Sequence, residues 1–148
     1  MPGRLDGRVA VVTGSTSGIG EAIAVGMARE GAAVVVSGRR RVAGEAVAAR
    51  IRADGGRAVF HEADLMDSAA CAPLCERAAR EFGGLDVLVN NAGIFPVLTF
   101  EETTSEDWDR VFGLNAKASY FCAQAAAPML RERGGGAIIN IGSGHPFG

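Results

Sequence analysis

Apolar residues in this chain fall into short unbroken runs, separated by longer stretches where they recur every three or four positions. The runs occupy residues 9–13, 34–37, 58–62, 87–89 and 137–141, are rich in β-branched side chains and mostly lack strict alternation. Such runs predict strands covered on both faces. Helical spacing fills the intervals. From Ile19, Ala22, Ile23, Gly26 and Met27 form one stripe, with Gly31 as its stop. Val42, Ala46, Val47 and Ile51 form a second, ended by Gly55 and Gly56. Cys71, Leu74, Cys75, Ala78 and Phe82 form a third, ended by Gly83 and Gly84, with Pro73 leaving its start unsettled. A fourth helix opens at Thr104, with Asp107 as capping-box partner, and continues past Asn115 to Arg133 with bends expected near Gly113 and Pro128. Strand and helix in alternation predict an α/β fold, a parallel sheet with helices on both faces. No repeat, low-complexity tract or linker divides residues 1–148, which read as one domain.

Composition changes this picture little. The 148 residues are 48% hydrophobic and 22% charged, enough for a packed core. A formal charge of −2 gives no electrostatic reason to expect nucleic acid or an anionic membrane as partner. No apolar stretch approaches the roughly 20 residues that span a bilayer. The first apolar run, residues 9–12, is too short for a secretory signal, so a cytoplasmic protein is expected. The three cysteines form no CxxC pair and read as buried free thiols. His61 and His145 have no ligand-spaced partners, so no metal site is expected.

The candidate chemistry begins directly after the first strand. Thr13-Gly14-Ser15-Thr16-Ser17-Gly18-Ile19-Gly20 leads straight into the first helix. Glycines there permit a tight turn and close approach of backbone N–H groups to a pyrophosphate, which the positive end of the helix also favours. A glycine triplet alone is weak, but its position between a strand and a helix is the context that supports dinucleotide binding. No Gly-Lys-Ser/Thr follows, which excludes a P-loop.

The spacing Thr13-Gly14-x-x-x-Gly18-Ile19-Gly20 resembles the cofactor motif of the short-chain dehydrogenases/reductases (SDRs), and further segments match in the family's order. Asn90-Asn91-Ala92-Gly93 resembles the NNAG segment, and Asn140-Ile141-Gly142-Ser143 the strand end that carries the catalytic serine. The resemblance spans nearly the whole chain. It implies a Rossmann-type doubly wound sheet, incomplete on its C-terminal side. It implies cofactor contacts from Gly14, Ser15, Thr16, Ser17, Gly18, Ile19 and Gly20. Asp64 and Leu65 would lie at the adenine, and Asn91, Ala92 and Gly93 would shape the cleft. It further implies catalytic roles for Ser143, which would hold the substrate oxygen, and Asn115, which would help organise a proton-relay water.

The second strand ends Ser37-Gly38-Arg39-Arg40-Arg41, without the carboxylate that usually binds the ribose hydroxyls of NAD. Gly38 leaves room, and Arg39 can pair with a 2′-phosphate, so NADP is expected in preference to NAD. Against this, the glycine turn has Ser17 where NADP-dependent relatives carry a basic residue, and the arginines also suit a solvated helix start.

Hydride transfer to a carbonyl needs a proton donor. In the family this is a Tyr with a Lys four residues later. Here the only tyrosine, Tyr120, is followed four residues on by Gln124, and the only lysine, Lys117, precedes it. The pair would fall roughly a dozen residues beyond Ser143, so the chain reads as truncated, with His145 a poor substitute acid. The expectation is an SDR-type oxidoreductase acting on a small carbonyl or alcohol, present as a fragment inactive alone; a non-catalytic NADP-binding module or a degenerate remnant is the alternative. The run at 137–141 suits an interior strand, so poor solubility or self-association is expected of the isolated chain, and a homo-oligomer of the full-length form. Residues 94–99 and 143–148 are expected to line part of a cleft but identify no substrate.

Overall fold

The apolar runs become β1 (Val9–Val12), β2 (Ala33–Gly38), β3 (Arg57–Glu62), β4 (Val87–Asn90) and β5 (Ala137–Asn140). The computed structural model describes residues 2–144. All strand pairs are parallel, in the order β3-β2-β1-β4-β5. This is a Rossmann-like sheet with helices on both faces.

The lack of alternation has a direct cause. Successive strand residues point to opposite faces, and both faces are covered. Val9, Val11, Ala33, Val35 and Leu88 pack against α3 (Cys71–Phe82) and α5 (Ala118–Glu132). Ala10, Val12, Val34, Val36 and Val89 pack against α1 (Gly18–Arg29) and α2 (Arg41–Ala53). β3, at one edge, is only half covered and does alternate. β5, an apolar run of the kind that suits an interior strand, stands at the other edge of the described sheet with all four residues exposed, the edge position expected for the isolated chain.

Helix ends follow the predicted punctuation. Gly31, Gly55 and Gly83 take positive φ where α1, α2 and α3 stop. Pro73 fits because a short 3₁₀ turn, Ser68–Ala70, leads into α3 and places the proline in its first turn, where no backbone N–H is required. The fourth predicted helix is resolved into three pieces. Thr104 and Asp107 form the expected capping box on α4 (Ser105–Phe112). A π-helical turn, Gly113–Lys117, replaces the expected bend, and α5 carries Pro128 inside it. No helix among the described residues is long and apolar enough to cross a membrane.

One buried carboxylate has no counterpart in the sequence reading. Asp86 Oδ2 accepts from the Val9 amide at 2.8 Å and from Arg133 Nη2 at 3.0 Å, while Oδ1 accepts from Arg8 and Arg133 at 3.3 Å. Burial alone would raise this carboxyl; the hydrogen bonds from Arg133, Val9 and Arg8 outweigh it and hold it below the ordinary range. The three cysteines are free and buried between α3 and α5, where burial pushes Cys75 up to about 12.

Candidate cofactor-binding site

Strand order reverses between β1 and β4, and in open parallel sheets that point opens a crevice at the strands' carboxyl ends. Two loops meet there. Thr13 Oγ1 accepts from the amides of Asn91 and Ala92, both at 2.9 Å. Asn91 Nδ2 donates to the carbonyls of Thr13 (3.2 Å) and Gly14 (3.1 Å). Backbone approach is so close that side chains are excluded: a Cβ on Gly14 would lie 2.8 Å from Ala92 Cα, and one on Gly20 would strike the Gly14 carbonyl and Asn91 Nδ2. Glycine is needed at 14 and 20 to bring turn, helix and loop together.

The resulting cleft has a volume of about 380 Å³. It gathers Gly14, Thr16, Ser17, Ile19 and Gly20 from the turn, Arg39 from the end of β2, Asp64 and Leu65 from beyond β3, and Asn91, Ala92 and Gly93 from beyond β4. Segments distant in sequence thus converge on one concave surface. α1 begins at its edge, where Ser17 is extended (φ −163°) and makes no side-chain capping bond. First-turn amides left without a side-chain partner are what an anion can take up.

Ser15 is not part of this surface. Its hydroxyl donates to the Val12 carbonyl at 2.6 Å and accepts from the Ser37 amide at 2.9 Å, and its own amide donates to the Ser37 carbonyl. A small polar side chain that can bridge two adjacent strand ends is drawn inward, so Ser15 braces β1 against β2. Gly18 opens α1 with φ 58° and also lies outside the cleft lining.

The cleft includes residues the sequence reading passed over. Arg40 lines it beside Arg39, and its Nη2 donates to Thr16 Oγ1 at 3.2 Å. Arg41, in contrast, is paired with Glu62. Ser37 and Leu114 also contribute to the wall. The run of three arginines was the only signal for Arg40.

Asn115 lies on the π turn, with Oδ1 accepting from the Ile94 amide at 2.8 Å and Nδ2 donating to the Ile94 carbonyl at 2.7 Å. Both ends of its side chain hold the loop after β4. Ser143 is exposed and lies outside the cleft lining. Nearby, Asn90 Nδ2 donates to Asn140 Oδ1 at 2.9 Å and to the Ser119 carbonyl at 3.3 Å, tying β4, β5 and α5. His145 and the rest of the 145–148 tail lie outside the described residues. His61 is half-buried on β3, its pKa lowered by burial and by Arg77 and Arg80. Among the described residues no group of three His, Cys, Asp or Glu side chains is placed to hold a metal.

The profile of the short chain dehydrogenase family matches residues 8–147. An uncharacterized oxidoreductase of Methylorubrum extorquens is 45% identical over 141 residues, 95% of this chain and 56% of that protein. D-threitol dehydrogenase of Mycolicibacterium smegmatis is 39% identical over 140 residues, 95% of this chain and 54% of that protein. The crystal structure of a candidate short-chain alcohol dehydrogenase from Sinorhizobium meliloti 1021 has a TM-score of 0.88 at 43% identity, over 92% of this chain and 54% of that one. The switch-point cleft thus sits in a chain that belongs to the short-chain dehydrogenase family. The chain spans about half the length of the relatives it matches.

Proposed function

We propose that residues 1–148 form the nicotinamide-cofactor-binding domain of an SDR-type oxidoreductase, with NADP preferred to NAD. The observation that carries this reading is the turn between β1 and α1, whose glycines at 14 and 20 let turn, helix and loop close together around the cleft at the start of α1. The bound nicotinamide would supply the hydride exchanged with a small carbonyl or alcohol. Residues of this chain would bind and orient. The first-turn amides of α1 would face the diphosphate, and Asp64 and Leu65 the adenine. Asn91, Ala92 and Gly93 would set the depth of the cleft, and Arg39 would meet a 2′-phosphate. Asn115 would act as a positioning residue, fixing Ile94 and with it the wall after β4. Ser143 would hold the substrate oxygen once carried to the cleft mouth.

A Tyr with a Lys four residues later has no match among the 148 residues. The same cleft therefore also supports a second reading, binding without turnover, and proton donation would require a group supplied from elsewhere. Titration of the chain with NADPH and NADH, followed by nicotinamide fluorescence, tests the common part. Saturable binding with NADPH the tighter ligand is expected; no binding of either would refute it. Alcohol or carbonyl turnover by the 148-residue chain would refute the second reading.

A further inference from the structure

All three cysteines are free, buried and gathered at one helix interface. Residues four apart share a helix face, so Cys71 and Cys75 on α3 look toward α5 together. Cys71 Sγ donates to the Ala118 carbonyl and Cys75 Sγ to the Cys122 carbonyl, both at 3.8 Å. Both contacts have a sequence offset of 47 residues, so the two helices run in the same direction and in register. Small side chains let them approach this closely: Cys71, Cys75 and Ala78 on one helix share a core with Ala118, Cys122 and Ala126 on the other. Cys122 is the common neighbour, because its side chain bonds to the Cys71 sulfur while its carbonyl receives the Cys75 thiol. The bonded pair is unequal. The bond from Cys122 lowers the Cys71 pKa against the opposing effect of burial, and Cys71 is the first residue of α3, where backbone N–H groups favour a thiolate. Cys122 is pushed up by the same bond and by burial. One sulfur is thus prepared to attack, and the other lies against it.

We propose that Cys71 and Cys122 form a redox-modification site, at which hydrogen peroxide joins α3 to α5 through a disulfide. The Cys71 thiolate attacks a peroxide oxygen and the O–O bond breaks. Cys71 becomes a sulfenic acid, and the departing hydroxide takes up a proton to leave as water. The Cys122 sulfur then attacks the sulfenic sulfur and the S–O bond breaks. The second oxygen leaves as water with the proton of Cys122. Two thiols give up two electrons in all, and these reduce the peroxide to two waters. Burial sets the rate of this chemistry, because the sulfurs react only while the packing opens locally. The core around them reaches the cleft wall at Leu65, Ala92 and Leu114, the boundary a molecule of peroxide size has to cross. Once Cys71 is oxidised its partner is already in place, which favours the disulfide over further oxidation. In a reducing compartment such a bond is transient and is reopened by thiols. The site stands apart from the cofactor reading.

The test treats the folded 148-residue chain with hydrogen peroxide, without nucleotide. Remaining thiols are then alkylated in denaturant and the peptides mapped by mass spectrometry. Wild type should lose two of its three alkylatable thiols, with Cys71 linked to Cys122 and Cys75 alkylated, and dithiothreitol should restore all three. Cys75→Ala should give the same link. Cys122→Ala should give none, and with dimedone present an adduct should appear at Cys71 instead. Melting transitions check the fold of each variant, and the wild-type peptide map decides the pairing even where a variant fails to fold. The same treatment in urea is the control, since loop closure in an unfolded chain favours the shorter Cys71–Cys75 separation. An equal yield of the Cys71–Cys122 link in urea would show that native packing does not direct it, and would overturn the site. So would three alkylatable thiols after a dose that fully oxidises free cysteine, a link through Cys75, or a link between two chains.

Discussion

Gly20 shows how far a single position can be argued from geometry. A methyl group there meets the Gly14 carbonyl and the Asn91 amide together, so neither can yield without opening the contact between turn and loop. Forced overpacking of this kind costs about 1–3 kcal/mol. If that loss falls on the bound geometry, Gly20→Ala should weaken NADPH binding about tenfold or more in a fluorescence titration. Binding at the wild-type level would show that the turn does not grip the cofactor. Arg39→Asp is the complementary change, because it removes a phosphate partner and installs an acceptor for ribose hydroxyls. NADPH affinity should drop at least about tenfold while NADH affinity holds or rises; equal losses for both would sink the assignment. These positions were legible because a glycine's constraint and a missing carboxylate are visible locally. The inward turn of Ser15 could not be read in the same way. Its partner, the Ser37 amide, lies 22 residues away, and only the pairing of β1 with β2 turns its hydroxyl inward.

At the level of elements, hydrophobic period was the dependable guide. Five strands and the helices between them were readable because a two-sided sheet demands continuous apolar runs while its covering helices demand stripes. What the pattern did not hold was the π turn at Gly113–Lys117, whose extra residue per turn leaves no mark on composition. The turn matters because it carries Asn115, the clamp on both backbone groups of Ile94. Asn115→Ala would leave that amide and carbonyl to water. The stability loss should be modest, about 1 kcal/mol, because the site is exposed. Hydrogen exchange at Ile94 and its neighbours should accelerate well beyond what the change in global stability explains, since the wall after β4 loses its anchor. Exchange that follows global stability alone would mean that α4 and the rest of the loop hold the wall without Asn115.

The molecule as a whole is closed at the other end of the sheet by Asp86. Its carboxylate joins the start of β1, through the Val9 amide, to the residue that ends α5, through Arg133, and it is only 2% exposed. The carboxylate is buried while its guanidinium partners are partly exposed, so removing its charge leaves cations that water can still reach. Asp86→Asn keeps an acceptor for Val9 but sets an amide NH₂ against a partly exposed guanidinium, and should destabilise the chain by about 2 kcal/mol at neutral pH. The pH dependence has a definite sign. Because the folded pKa lies below the ordinary value, the unfolded chain takes up its proton first as pH falls. The contribution is therefore fully present above the unfolded value, about 3.9, and is lost as pH falls through the folded one. Urea melts from pH 7 down to pH 3 should show the gap between wild type and Asp86→Asn widest near neutrality and narrowing below about pH 4. A gap that stays constant across that range would mean that the carboxylate's charge does not hold β1 and α5 together, and that its hydrogen bond to Val9 alone does.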